Sequence, residues 1–471
     1  MKLELFDGSF RDPTSRVFFY KGEIHRASLG SQGEFLREFF KSECFHLMVK
    51  RGWVLPITDV TDEGISDLVK NWSKGSNEEA PVTFLGVTEV VNPITYPYEW
   101  CHEMLMSAGN LTLNIQSHLI EHGFSLRDAS SFNIQFRGSS PVFIDHGSFG
   151  ESLPLSSWPS LKQFVEHFIN PLSVSRSSTA DSSSLWRMSS LHGMPSRVAR
   201  SLINTRTRLM PRLAITQLST IPKNKKSPEI EPSASARNTK TAQLNQIEFL
   251  RKTLRTLDKK IQKSTWVNYH TRRHYSGDEL AQKAEVISHL GLNLPPNPTI
   301  LDIGGNDGIF ASLVSKDENA NLIVLDKDSE ALRLEYQRHI SETDRRKLFL
   351  CADFSDLSEG RGVAGSEHAS FRSRVKPDVV LLLAVIHHLI IGEGISAAKV
   401  AQMVRLFNCT AVLEVPLDHD PKVLELLGRK VANDAGNGYE TSHILAQFKG
   451  LFSEVKIYEE NLLRPIWILT P

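Results

Sequence analysis

From residue 298 onward the apolar positions fall into short unbroken runs: PTILDI, NLIVLD, KLFLCAD, PDVVLLLAVI and CTAVLEV, each followed by a segment long enough for a helix. A strand with one wet face alternates apolar and polar residues, whereas a strand covered on both faces reads as continuous apolar sequence. The pattern therefore predicts a parallel sheet with helices on both sides, an α/β fold. Two last runs, SEVKIYE and RPIWILT, lie only a few residues apart and predict a closing antiparallel hairpin. Just upstream, AQLNQIEFLRKTLRTLDKKIQ places Leu244, Ile247, Leu250, Leu254 and Leu257 at helical spacing, which predicts a helix packed against the sheet that follows.

Residues 171–242 break this regularity, being rich in Ser, Pro and Lys. The stretch IPKNKKSPEIEPSASARNTKTA reads as a linker. Between Arg187 and Lys226 stand nine basic residues and no acid, interleaved with Trp186, Leu202, Ile203, Leu209, Met210, Leu213 and Ile215. That composition predicts a basic amphipathic helix, facing either an anionic substrate or phospholipid surface, or solvent while packed on the N-terminal domain. The expected organisation is an N-terminal α+β domain over 1–170, the basic segment and linker over 171–242, and the α/β domain over 243–471.

At 471 residues the chain exceeds what one hydrophobic core usually serves. Lys plus Arg equals Asp plus Glu at 54 each, so net charge suggests neither a nucleic-acid nor a membrane partner. Cys44, Cys101, Cys351 and Cys409 are widely spaced and form no CxxC pair, which argues against a zinc site or a disulfide framework. The opening MKLELFDGSFRDP lacks a signal-peptide core, and the longest apolar run, 379–391, is too short to span a bilayer. A cytoplasmic protein without a transmembrane segment is expected, in an oligomeric state the sequence leaves open.

The densest chemistry lies in LDIGGNDG, where Gly304, Gly305 and Gly308 directly follow a buried strand. Bare backbone there lets the chain turn sharply and a ligand approach. The spacing is not the G-x-G-x-x-G of a dinucleotide fingerprint. Asp302 at the strand end would face a pyrophosphate unfavourably but could pair with an ammonium group. Asp326 ends the next strand, where an acid can accept hydrogen bonds from both hydroxyls of a ribose. A cationic amino acid joined to a nucleoside fits both.

These motifs, with CADF and PDVVLLLAVIHHL, resemble those of the class I S-adenosylmethionine-dependent methyltransferases, over roughly residues 264–471. The resemblance implies a Rossmann-like seven-stranded sheet, mostly parallel, binding S-adenosylmethionine. It places Asp302, Gly304 and Gly308 around the methionine part, Asp326 on the ribose and Asp353 and Phe354 at the adenine, with Gly305, Asn306, Lys327 and Ala384 also among the cofactor-binding residues. STWVNYHTRRHYSGDELAQKAEVI, LAVIHHL and LEVPLDHDPKV are similar to a bacterial methyltransferase family that includes host-specific nodulation proteins. That likeness implies a cover over the cofactor formed by Trp266, Tyr269, Tyr275 and Lys283.

Ligands in open α/β sheets bind outside the carboxyl ends of the strands, so His387, His388, Glu414 and Asp418 fall where a methyl acceptor would sit. A histidine could act as base if the attacking atom must lose a proton, and the acids could orient it or hold the acceptor. The other reading is that the histidines shape the pocket wall and the acids are solvated. The Asn-Pro-Pro-Tyr tetrad of amide and exocyclic-amine methyltransferases is missing, which favours an oxygen or carbon acceptor, and without a concentrated basic face or a known RNA-binding module a small or medium-sized metabolite is favoured over nucleic acid.

In the N-terminal half, Asp128 and Asn133 stand as D-x4-N, and Asp145 opens Asp-His-Gly. This resembles a kinase catalytic loop and its metal-binding D-x-G. The hairpin RVFFYKGEIHRAS, the helix GEFLREFFKSECFHLMVKRG, the strand VLPITDV and the helix WCHEMLMSAGNLTLNIQSHLIEHG follow a kinase-like order. Yet no glycine-rich phosphate loop precedes the hairpin, Arg26 stands near the place of the phosphate-pairing lysine, and Leu126 replaces the usual histidine. Three functions stay open: methyl transfer, phosphoryl transfer to a hydroxylated small molecule, and a non-catalytic adaptor.

Overall fold

The computed structural model describes residues 4–60, 81–155, 157–178, 180–221, 236–264, 267, 277–289, 292–340, 346–430, 439–458 and 463–471. The chain divides into two compact units. One comprises Met1–Lys260 with Glu359–Ala369, the other Ile261–Ser358 with Ser370–Pro471.

In the second unit seven strands form one sheet: β10 (Thr299–Ile303), β11 (Asn321–Asp326), β12 (Lys347–Cys351), β13 (Val379–Leu382), β14 (Thr410–Glu414), β15 (Glu454–Tyr458) and β16 (Ile466–Thr470). They stand in the order β12-β11-β10-β13-β14-β16-β15. The first five are mutually parallel, and β16 runs antiparallel to both β14 and β15. The mostly parallel sheet and its closing hairpin are as the apolar runs predict. Every residue of β10 and β13 is buried, while β15 at the edge alternates exposed and half-buried positions. Two-sided coverage is what the unbroken apolar sequence encoded. Ile303 stands level with Leu325 on one side and Leu382 on the other, so these strands end together at one edge.

The first unit opens with an antiparallel sheet of β1 (Glu4–Leu5), β2 (Ser15–Tyr20), β3 (Glu23–Leu29), β4 (Ile57–Asp59) and β5 (Val82–Thr88), in the order β1-β2-β3-β5-β4. The predicted hairpin, strand and long helix (His102–Glu121) are present. The helix expected over GEFLREFFKSECFHLMVKRG is two helices, Gly30–Lys41 and Glu43–Lys50. Ser42 stays extended between them and its side chain accepts from Phe45 N at 3.2 Å, ending one helix by capping the next. Two short ladders follow: β6 (Phe124–Leu126) with β9 (Phe149–Glu151), and β7 (Ile134–Arg137) with β8 (Ser140–Phe143).

Two boundaries differ from the sequence reading. The helix Ala236–Arg255 packs against His102–Glu121 in the first unit, not on the following sheet: Arg251 donates to Asn114 Oδ1 at 3.0 Å, and Ile247, Leu250 and Leu254 are buried there. Helical spacing announces an apolar stripe without naming its partner. The serine-rich SVSRSSTADSSS, expected in the 171–242 segment, contributes to the helices Asn170–Ser177 and Ser182–Met188 of the first unit. Ser173 Oγ donates to Asn170 O and Ser182 Oγ to Trp100 O, both buried, so small hydroxyls fill a close helix contact.

Leu381 sits fully buried in the β10–β13 layer. Leu381→Ala should destabilise the second unit by about 2–5 kcal/mol in chemical denaturation. Tyr458→Ala on the exposed edge strand should stay within about 0.5 kcal/mol of the parent.

Candidate functional site

Where β10 ends, the chain turns through Gly304 at φ +68° and reaches Gly308 at φ +65° before the helix Ile309–Val314. A Cβ on Gly304 would lie 2.6 Å from Val385 Cγ2, and one on Gly308 2.4 Å from Val324 Cγ2. Both the backbone angles and the space therefore demand glycine. Gly304 N and Gly305 N share the carbonyl of Leu325 at 2.7 and 3.3 Å, which pins the bend to β11.

Three carboxylates gather at this edge. Asp302 lies beneath the bend with 1 % of its surface exposed, and its Oδ2 accepts no hydrogen bond among the described residues. Burial raises its pKa to about 7, helped by Asp307 and Asp326 and opposed by Lys283. Asp326 is half-buried at the end of β11. Its carboxylate accepts from Asn306 N at 3.3 Å and Asp328 N at 2.8 Å, yet burial still pushes it up to about 6. Asp353, past β12, accepts from both Ser355 N and Ser355 Oγ.

A cavity of about 340 Å³ opens at these strand ends. Gly304, Asn306, Asp326, Lys327, Asp353, Phe354, Ala384, His387 and His388 are on its wall, so the structure brings together most of the residues singled out in the sequence. Ala384 turns at φ +58° immediately after the strand region, a strained angle for a residue with a Cβ. Lys327 reaches Glu393 Oε1 at 2.5 Å and lies 3.8 Å from Asp353.

His387 is buried, and its Nδ1 has no hydrogen-bond partner among the described residues. Burial first, then His388 and Arg464, lower its pKa to about 3, so the ring is neutral throughout the physiological range. His388, half-buried with its ring centre 4.2 Å from that of His387, is lowered too, mainly by burial.

Glu414 and Asp418 sit differently. Glu414 is buried at the end of β14 in an ion pair with Lys283, and Arg464 Nη1 stands 3.7 Å away. Lys283 also lies 4.5 Å over the Phe310 ring. Glu414 is thus part of a charge network behind the wall. Asp418 is mostly exposed beside Thr441 and does not line the cavity. Tyr275, with Trp266 and Tyr269, lies outside the described residues.

Sequence reasoning missed Arg464, Glu393, Lys422 and Arg429, which complete the wall. Arg464 comes from the turn before β16 and is held by Asp420 at 2.8 Å. Its only trace in the sequence is a lone arginine opening an apolar strand, a common and uninformative feature.

In the first unit, Asp128 and Asn133 meet each other, while Asp145 is met by other groups and repels Asp128. Asp128 Oδ1 accepts from Ser130 N at 2.7 Å and Asn133 Nδ2 at 3.1 Å. Asp145 accepts from Gly147 N and Ser148 Oγ, and pairs with Arg26 Nη2 at 2.9 Å. Arg26 leads the influences that hold Asp145 below the usual carboxylate range against the cost of burial.

Asp302 makes the sign of one pH dependence plain. Its folded pKa lies above the unfolded value, so its contribution to stability is lost as pH rises from about 4 to about 7. Asp302→Asn should remove that loss and gain up to about 4 kcal/mol at pH 8, with little change at pH 4, in denaturation of the ligand-free protein.

No family model matches this chain. The nodulation protein NoeA of Rhizobium meliloti (strain 1021) is 28 % identical to it over 427 residues, covering 89 % of this chain and 86 % of that protein. Among solved structures, an O-methyltransferase family protein from Burkholderia thailandensis aligns at 16 % identity over 41 % of this chain and 56 % of its own, with a TM-score of 0.30. The bifunctional kinase-methyltransferase WbdD aligns at 15 % identity over 41 % of this chain and 40 % of its own, with a TM-score of 0.29. The chain therefore spans little more than half of the first and two fifths of the second.

Proposed function

We propose that the second unit is an S-adenosylmethionine-dependent methyltransferase acting on an oxygen or carbon of a small or medium-sized metabolite. The observation that carries this reading is the placement of Asp326 and Asp353 on one cavity wall, at the ends of adjacent strands, with the bare backbone of Gly304 beside them. The residues fit the group: a glycine bend whose Gly304 puts no side chain at the cavity edge, and a buried carboxylate oxygen beneath it that has no hydrogen-bond partner among the described residues. S-adenosylmethionine supplies an electrophilic methyl group on a cationic sulfur.

The chain's own residues do the rest. Asp302 acts through its field from beneath the bend, where a cation in the cavity would relieve its repulsion with Asp307 and Asp326. Asp326 offers its oxygens to ribose hydroxyls, and Asp353 and Phe354 bound the adenine side. In this reading His387 takes the acceptor's proton, which requires its pKa of about 3 to rise when an acceptor fills the cavity, and His388 shapes the same wall. Glu414 anchors Lys283 and Arg464 and is a positioning residue here. Asp418 has no role at the wall.

Phosphoryl transfer by the first unit is the weaker reading. Asp145, the acid that would hold magnesium, is already neutralised by Arg26. Binding of nucleotide with magnesium by the full chain would revive it. The adaptor reading predicts no S-adenosylmethionine binding at all.

Calorimetry with S-adenosylmethionine separates these. Affinity should rise from pH 5 to about 7 and then level off, because binding favours the ionised forms of Asp326 and Asp302, whose pKa values are about 6 and 7. Asp326→Ala should weaken binding roughly 100-fold with circular dichroism unchanged, the worth of two hydrogen bonds to a charged group. Undetectable binding to the parent, or unchanged affinity in the variant, overturns the assignment. With a labelled methyl donor and extracts of the native host, His387→Ala should lower turnover about 10²–10⁴-fold while leaving cofactor affinity intact.

A further inference from the structure

The basic segment that the site does not use is folded, and its fold leaves a surplus. It forms four short helices, Ser182–Met188, Ser196–Leu202, Thr205–Arg208 and Pro211–Ser219. Their inward positions are well packed. Trp186, Ile203 and Leu213 are buried, and Gln217 donates to Asn170 Oδ1 at 3.0 Å. The outward positions are where a soluble surface would carry polar residues. Met188 is 87 % exposed, Leu209 72 %, Ile215 57 %, Leu202 52 % and Leu218 50 %. Val198 is exposed too, one turn before Leu202, and Ile215 and Leu218 share a face of the last helix.

Scattered exposed apolar residues need no explanation, but this many large ones within about thirty residues do. The charged residues of the segment are all of one sign. Arg197, Arg206, Arg208 and Arg212 are exposed among them, and no acid occurs between Arg187 and Lys226. Among the described residues, no carboxylate pairs with Arg206, Arg208 or Arg212.

We infer that residues 188–219 form a peripheral docking face for an anionic phospholipid surface. Exposed apolar side chains interspersed with exposed arginines are what an interfacial surface needs: the former enter the acyl boundary, and the latter meet the phosphates. A second copy of this chain fits badly, because self-pairing through the face would set positive charge against positive charge. A free polyanion would use the arginines and leave the apolar residues without a purpose. No described helix is long and apolar enough to cross a membrane, so the attachment is to the surface.

Cosedimentation of the full chain with phosphatidylglycerol-rich vesicles, against pure phosphatidylcholine vesicles, tests this. Binding should be confined to the anionic vesicles and weaken as salt rises. Arg206→Ala with Arg212→Ala should lower vesicle affinity about 25-fold, at about fivefold per charge. Leu209→Ser with Ile215→Ser should lower it comparably while leaving binding to heparin unchanged. All four side chains are exposed, so melting temperature should not move, and a shift would call for the single variants in their place. Equal binding to neutral vesicles, no binding to either, or indifference to the apolar substitutions overturns the inference. Capture of an acidic protein in place of lipid would do so as well.

Discussion

Covering a parallel sheet on both faces leaves its polar chemistry one place to go, the edge where the strands end. β10 and β13 are buried along their whole length, and a charged side chain inside such a layer costs several kcal/mol. At the carboxyl edge the chain turns and the cover parts, with Asp302 still buried beneath the bend and Asp326 half-buried beside it. Their raised pKa values express that burial. The glycine bend is the second consequence. To leave β10 without filling the space beside Val385 and Val324, the chain needs backbone angles and a volume that only glycine has.

The two units treat their buried acids in opposite ways. In the first, Asp145 is met by Arg26, Ser148 and Gly147, and Asp128 by Ser130 and Asn133. In the second, Glu414 is equally well met by Lys283 and Arg464, but Asp302 keeps an oxygen without a hydrogen bond among the described residues. A group that is fully satisfied stabilises a fold, whereas one that is not is poised for something else. That contrast supports the proposal that puts the chemistry at the glycine bend rather than at the D-x-G.

A similar distinction governs the apolar residues of the basic segment. Seven large apolar side chains drew attention there, and Trp186, Ile203 and Leu213 proved to be core while Leu202, Leu209 and Ile215 did not. Hydrophobic identity is local, but being spare is not: it depends on how many faces the neighbouring helices offer, and those neighbours lie far away in sequence.

The sequence by itself determined the sheet, because two-sided burial writes itself as continuous apolar runs. It also determined the bend with its flanking acids, because backbone angle and charge are properties of single residues. Only the tertiary structure decided that the 236–255 helix belongs to the first unit, that Glu414 is bound in an ion network, that Asp418 stands off the wall and that Arg464 stands on it. Each of these depends on which distant side chain arrives at a given point, and periodicity records that a residue has a preferred face without recording what that face will meet.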